Sequence, residues 1–351
     1  MSIPYQKISI TLISDLHPRT RDILAKRFGL DARDPETLEA IGQAHGITRE
    51  RVRQIVEDGI RQVKDGIQQG KEQARLQHIF GLVSDTLKET GSIKKEDLLV
   101  DALDAREASN SVVFLLHLDD WFWKQKETEH FYPFWANKKE IFESTPSILE
   151  FLVKHFDEHN ETLLIEEVVN VCRKSAHGKE AAKMNAQTLV SLLEVSKHTT
   201  QGYNGKWGLK KWPEVYPKGM RDKAYVVLKN IEKPLHFVEV ADAIAELQAS
   251  LADQKKKKIL PQTVHNELIK DARFVLVGRG TYALSEWGYE PGTVRDIIMG
   301  VLQGNGSSMD KDEIIQRTLE QRQVKASTIL LNLQDRSCFL KDSEGRYYVK
   351  E

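Results

Sequence analysis

Hydrophobic positions in the first 65 residues recur at helical rather than strand spacing. Leu16 to Lys64 reads as three short helices and a longer one. Thr20 to Phe28 carries Ile23, Leu24 and Phe28 on one face, and Gly29 supplies a natural stop. Asp34-Pro35-Glu36 has the form of a helix start, with Asp as N-cap and Pro at the first helical position. Leu38 and Ile41 face inward from that brief helix, and His45-Gly46 breaks it. Thr48 caps the next helix, whose inward stripe is Val52, Ile55, Val56, Ile60 and Val63. Two helices joined by a tight glycine-containing turn predict a helix-turn-helix over residues 1–64.

Beyond a polar stretch at 65–75, read as a helical hinge, the pattern repeats with a period of about 70 residues, long enough for a small domain. Each repeat runs helix, helix, helix and then a short aromatic-rich strand pair with a glycine or polar turn, the pattern of a winged helix. The predicted units cover 76–144, 145–217, 218–289 and 290–351, with wings near 122–136, 199–212, 274–287 and 338–349. Pro146, Pro217 and Pro291 fall near the junctions as punctuation. The predicted fold class is mainly α, a helix-turn-helix domain followed by tandem winged-helix units with short β-hairpin wings.

Composition narrows the function. The 351 residues have a formal net charge of −1, so a nucleic-acid face has to be a local patch and a histone-like coating protein is not expected. Cys172 and Cys338 match no disulfide or metal spacing, which suits a reducing compartment. Ile8 to Ile13 is too short for a span and lacks a basic leader, so a soluble cytoplasmic protein is expected.

The polar face of the helix after Thr48 carries the candidate chemistry. Arg49 and Arg53 stand one turn apart, as do Glu50 and Gln54, and all four leave the inward stripe. Arg pairs with guanine, Gln with adenine, and Glu accepts from cytosine. Arg49, Glu50 and Gln54 are therefore the candidates for base contact at the helix end that enters a major groove. Thr48, Arg51, Arg53 and Arg61 are the candidates for backbone contact. A mixed-charge helix face is more often simply solvated, but the residue order favours the sharper reading. Arg27-Phe28-Gly29-Leu30, Thr37-Leu38-Glu39-Ala40-Ile41-Gly42 and Gly46-Ile47-Thr48-Arg49-Glu50-Arg51-Val52-Arg53-Gln54-Ile55 resemble region 4 of sigma-70-type sigma factors. That resemblance implies that the positions of Arg49, Glu50 and Gln54 read a promoter −35 element while neighbouring arginines hold the backbone. It covers less than a fifth of the chain. No stretch resembles region 2 or region 3, so a complete sigma factor is not expected.

The third repeat resembles a second family. Ala224-Tyr225-Val226-Val227-Leu228, Lys233-Pro234-Leu235-His236-Phe237 and Phe274 through Leu284 are similar to the HARE-type helix-turn-helix of the delta subunit of Gram-positive RNA polymerase. This resemblance implies a link to transcription, through DNA or through protein. It departs at Ala252 to Leu260, where Lys255, Lys256, Lys257 and Lys258 form a possible basic patch.

Other motifs weigh little. Gly278-Arg279-Gly280-Thr281-Tyr282-Ala283 has loose dinucleotide-binding spacing, but it continues as strand and reads as a wing turn. His155 and His159 lack a third ligand nearby, and no metal is expected. The Trp pairs at 121/123 and 207/212 are read as core packing rather than base-stacking platforms. No catalytic arrangement stands out, so neither an enzyme nor a cofactor is expected. The expected partners are promoter-like double-stranded DNA and bacterial RNA polymerase core, with no membrane and no small-molecule substrate. Two rivals remain open: a delta-like accessory protein that docks on polymerase, and a binding module of a restriction or repair system.

Overall fold

A computed structural model describes residues 3–31, 33–67, 72–174, 184–250, 259–289, 292–322 and 324–350. The described residues are mainly helical, with small antiparallel strand pairs. They fall into two compact units, residues 1–201 with 206–210, and residues 202–205 with 211–351.

The first unit begins with α1 (Tyr5–Ile13), α2 (Pro18–Phe28), α3 (Leu38–His45) and α4 (Arg49–Ile67). Leu16 to Lys64 therefore holds two short helices and a long one, and the remaining short helix lies upstream, where its buried side chains Tyr5, Ile8 and Ile13 are spaced three and five apart. The start expected at Asp34-Pro35-Glu36 is displaced to Leu38. Thr37 is the cap, its Oγ1 accepting the Ala40 N–H at 3.1 Å. The preceding loop is instead tied to α2: the Glu36 N–H donates to the Lys26 carbonyl, and the Arg27 guanidinium donates to the Glu36 carbonyl, both at 2.9 Å.

Next come α5 (Gln73–Glu89), β1 (Ile93–Lys95), α6 (Glu96–Ala102), α7 (Ser109–Leu116), β2 (Trp123–Gln125) and β3 (Phe134–Ala136), with sheet order β1-β3-β2. The following repeat contains α8 (Lys139–His159), α9 (Ile165–Lys174), α10 (Ala186–Val195), β4 (Thr199–Gln201) and β5 (Trp207–Leu209). A single bridge, Leu163 to Trp207, stands where β1 stands in the repeat before it. Pro146, expected between elements, lies inside α8. The Ser144 and Thr145 hydroxyls bond the carbonyls of Glu140 and Ile141, four residues back, at 2.7 Å.

The second unit repeats the plan twice. One copy is α11 (Met220–Ile231), β6 (Leu235–His236), α12 (Phe237–Ser250), α13 (Pro261–Ile269), β7 (Phe274–Gly278) and β8 (Thr281–Leu284), in sheet order β6-β8-β7. The other is α14 (Val294–Asn305), α15 (Lys311–Gln321), α16 (Ala326–Leu333), β9 (Phe339–Lys341) and β10 (Tyr347–Val349), with a lone bridge from Met309 to Tyr347. The order helix, short strand or bridge, two helices and a hairpin whose last strand pairs with the first recurs four times among the described residues. The Gly278 to Ala283 motif is the tip and return strand of the β7–β8 hairpin, with Gly280 at φ +73°.

Buried side chains on both sides of residues 68–71 join one hydrophobic cluster, from Tyr5, Ile23, Leu24, Ile41 and Val52 through Leu76 and Phe114 to Trp135. The helix-turn-helix thus shares its core with the repeat that follows it.

Candidate nucleic-acid interface

The geometry of the α3–α4 turn begins with two glycines. Gly46 ends α3 at φ +65°, a left-handed conformation that costs glycine nothing. Gly42 lets the chain double back: the Ile47 N–H donates to the Gly42 carbonyl at 3.0 Å, and a Cβ on Gly42 would lie 2.7 Å from the Ile47 carbonyl oxygen. Thr48 then caps α4, its Oγ1 accepting the Arg51 N–H at 3.2 Å. From the side, the Arg19 guanidinium donates to the His45 carbonyl at 3.2 Å and fixes the end of α3 to α2.

Within α4, Val52, Val56, Gly59 and Val63 are buried. Ile55 and Ile60, expected in the same stripe, are half-buried at its edge. Arg49, Glu50, Arg51, Arg53, Gln54 and Arg61 are all exposed, as is Thr48. The exposed face is wired to itself. The Arg53 guanidinium donates to both Glu50 carboxylate oxygens, at 2.6 and 3.0 Å, and also to Glu57. The Arg51 guanidinium donates to Gln54 Oε1 at 3.1 Å, and Arg61 pairs with Asp58 at 3.4 Å. Among the described residues, Arg49 makes no side-chain hydrogen bond or ion pair. The hydrogen bond from Arg53, with the charges of Arg53 and Arg49 adding to it, holds the Glu50 carboxyl below its usual range. Glu50 is therefore an acceptor at neutral pH, as pairing with an amino group requires.

The structure places two lysines beside this helix that sequence spacing could not. Lys124 and Lys126, at and just after β2, line one cavity of 440 Å³ with Arg27 and Arg53. They lie about 70 positions from Arg53 in the chain, so only the shared core brings them there. Burial pushes the imidazole of His117, which also lines this cavity, down to about 4, with the Lys124 charge adding to the effect.

Elsewhere, Trp207 is buried as expected, whereas Trp121 is 74% exposed. The possible basic patch at Lys255, Lys256, Lys257 and Lys258 lies outside the described residues. His155 and His159 stack at 4.1 Å, and no group of three or more potential metal ligands occurs among the described residues. No described helix is long and apolar enough to cross a membrane.

Comparison with known proteins meets this geometry at the same place. Residues 12–65 match the family described as Sigma-70, region 4. The RNA polymerase sigma factor SigA1 of Synechococcus elongatus is 47% identical over 53 residues, 15% of this chain and 13% of that protein. RpoS of Coxiella burnetii is 46% identical over 52 residues, 15% of each chain, and SigA of Nostoc sp. is 45% identical over 53 residues, 15% of this chain and 14% of that one. The matched segment is thus only 13–15% of the length of these curated relatives. It runs from the end of α1 through α4, and over that segment the chain is similar to region 4 of the sigma-70 family.

Proposed function

We propose that this protein reads a promoter element of the −35 type through α4 and acts with bacterial RNA polymerase core in initiation or its regulation. The observation that carries this reading is the arrangement at the start of α4. Arg49, Glu50 and Gln54 are exposed within its first two turns, behind a Thr48 cap, on a scaffold similar to sigma region 4. In this reading Arg49 contacts a base without first leaving a partner. Glu50 and Gln54 reach bases once Arg53 and Arg51 exchange them for phosphate oxygens, a cheap exchange because exposed pairs contribute little in water. Arg61, also exposed, takes the backbone further along the helix, and the hydroxyl of Thr48 lies close to the phosphates at the helix N-terminus. Purification from the native cell tests the partnership: core polymerase should be retained with the full-length chain, and its absence would remove the polymerase half of the proposal.

A second reading has its own support in the second unit. The third helices there are not basic on their open faces: Ile269 of α13 is 63% exposed and Leu331 of α16 is 68% exposed. Apolar side chains so placed suit protein contact better than a phosphate backbone. A delta-like accessory role for residues 218–351, consistent with the HARE-type resemblance, would combine with DNA reading by α4 or replace it.

A further inference from the structure

A winged helix ordinarily offers two elements to DNA, its third helix and its wing. In the repeat after α4 the third helix is closed off. Ser111, Val112, Phe114, Leu115 and Leu116 of α7 are buried. The helix packs on α1 and α2, with the Ser9 hydroxyl reaching the Ser111 carbonyl and Phe28 meeting Phe114. The β2–β3 hairpin is tied at its far end to the next repeat, the Tyr132 N–H donating to the Val195 carbonyl and the Lys197 N–H to the His130 carbonyl. Lys126, just after β2, stays exposed, and the shared core sets that end beside α4.

The cavity between them shows the charge arrangement. Arg27, Arg53 and Glu57 line it from the helix-turn-helix, and Glu96, Lys124 and Lys126 line it from the wing side. Arg53 is held by Glu50 and Glu57, and Lys124 by Glu96 at 2.7 Å. Lys126 is exposed, and its ammonium has no hydrogen bond or ion pair among the described residues. Glu127, next along, is drawn the other way by Lys197 at 2.7 Å, and Glu129 lies beyond the Thr128 turn. Arg53 is one turn from Arg49, about 6 Å along the axis. A cation that lines the same cavity as Arg53 is therefore placed at the edge of a groove entered by the start of α4, where a duplex presents its backbone.

We propose that Lys126 on the wing is a second, sequence-independent DNA contact. It grips a phosphate of the duplex that α4 reads, so the repeat after the helix-turn-helix binds DNA by its wing and not by its third helix. This rests on the reading of α4 given above. The test titrates full-length protein with a duplex enriched by the protein from random sequence, and with a scrambled duplex, at several salt concentrations. Lys126→Gln removes the charge from an exposed site, and Lys154→Gln, on α8, is the control. Lys126→Gln should weaken both duplexes equally. It should lower the salt slope by about one, so that the affinity ratio of wild type to variant shrinks about 3.5-fold when salt rises fourfold. Lys154→Gln should match wild type. If Lys126→Gln behaves like Lys154→Gln while wild type still prefers the enriched duplex, the wing proposal fails and the reading of α4 stands. If wild type binds neither duplex, both fail. If Lys126→Gln loses core polymerase but keeps its DNA affinity and salt slope, the cavity belongs to a protein segment and the proposal is overturned.

Discussion

Phe28, the last residue of α2, meets Phe114 of α7 edge to face, with ring centroids 5.2 Å apart. The contact joins the helix-turn-helix to the repeat after it, and Phe114 itself is fully buried. Two elements that share a core share stability, so damage on one side should be felt on the other. Phe114→Ala should destabilise the first unit by about 3–5 kcal/mol, the usual cost of emptying a buried phenyl site. Amide exchange in α2 and α4 should accelerate along with exchange in α7. Protection that persists in α4 while α7 opens would show two independent cores.

The turn between α3 and α4 tolerates no Cβ at Gly42, because the nearest atom is the Ile47 carbonyl oxygen rather than the end of a flexible side chain. Gly42→Ala should lower stability by about 1–3 kcal/mol, as backbone displacement in a packed site does. It should also weaken DNA binding by shifting α4 against α3. Gly46→Asn should be mild by comparison, since its left-handed φ suits Asn and nothing lies within 4 Å of a Cβ there. Chemical denaturation of both variants checks this, and equal losses would contradict the argument.

His117 gives the first unit a pH dependence of definite sign. Burial, joined by the charge of Lys124, lowers its pKa from 6.5 to about 4, so the folded chain keeps it neutral while the unfolded chain takes up a proton. The contribution is complete above 6.5 and is lost as pH falls towards 4, amounting to up to about 3 kcal/mol. Denaturation midpoints at pH 7 and near pH 4.5 should differ less for His117→Gln than for wild type. An unchanged difference would assign the acid sensitivity to other groups.

Some of this architecture could be read directly from the residues. Gly46 followed by Thr48 marks the turn because one adopts positive φ and the other caps the next helix. The β7–β8 and β9–β10 hairpins announce themselves as apolar runs around glycine or polar turns. The short first strands could not be read. Leu235-His236, and the single bridges at Leu163 and Met309, exist only through pairing with chain far downstream, and two residues hold no periodicity. Asp34-Pro35-Glu36 looked like a helix start because local capping rules do not register competition from a neighbouring helix; here α2 holds Glu36, and Thr37 takes the cap. In the candidate site, the exposed face of α4 follows from spacing alone. Lys124 and Lys126 beside Arg53 do not, because that neighbourhood is made by the shared core.

From its residues, this sequence is not expected to hold a counterpart of the aromatic-rich region that opens the −10 element. In vitro transcription from linear duplex templates, with core polymerase and this protein alone, should therefore give background only. Specific transcripts would reveal a melting element elsewhere in the sequence.

The central claim is that α4 reads bases, and a titration of the enriched and scrambled duplexes tests it most directly. Arg49→Ala and Gln54→Ala should each reduce the preference for the enriched duplex by about 1–3 kcal/mol, the worth of a good base contact. Arg61→Ala should weaken both duplexes alike and lower the salt slope by about one. If Arg49→Ala and Gln54→Ala leave the preference at the wild-type value, α4 is not the reader, and the claim is contradicted.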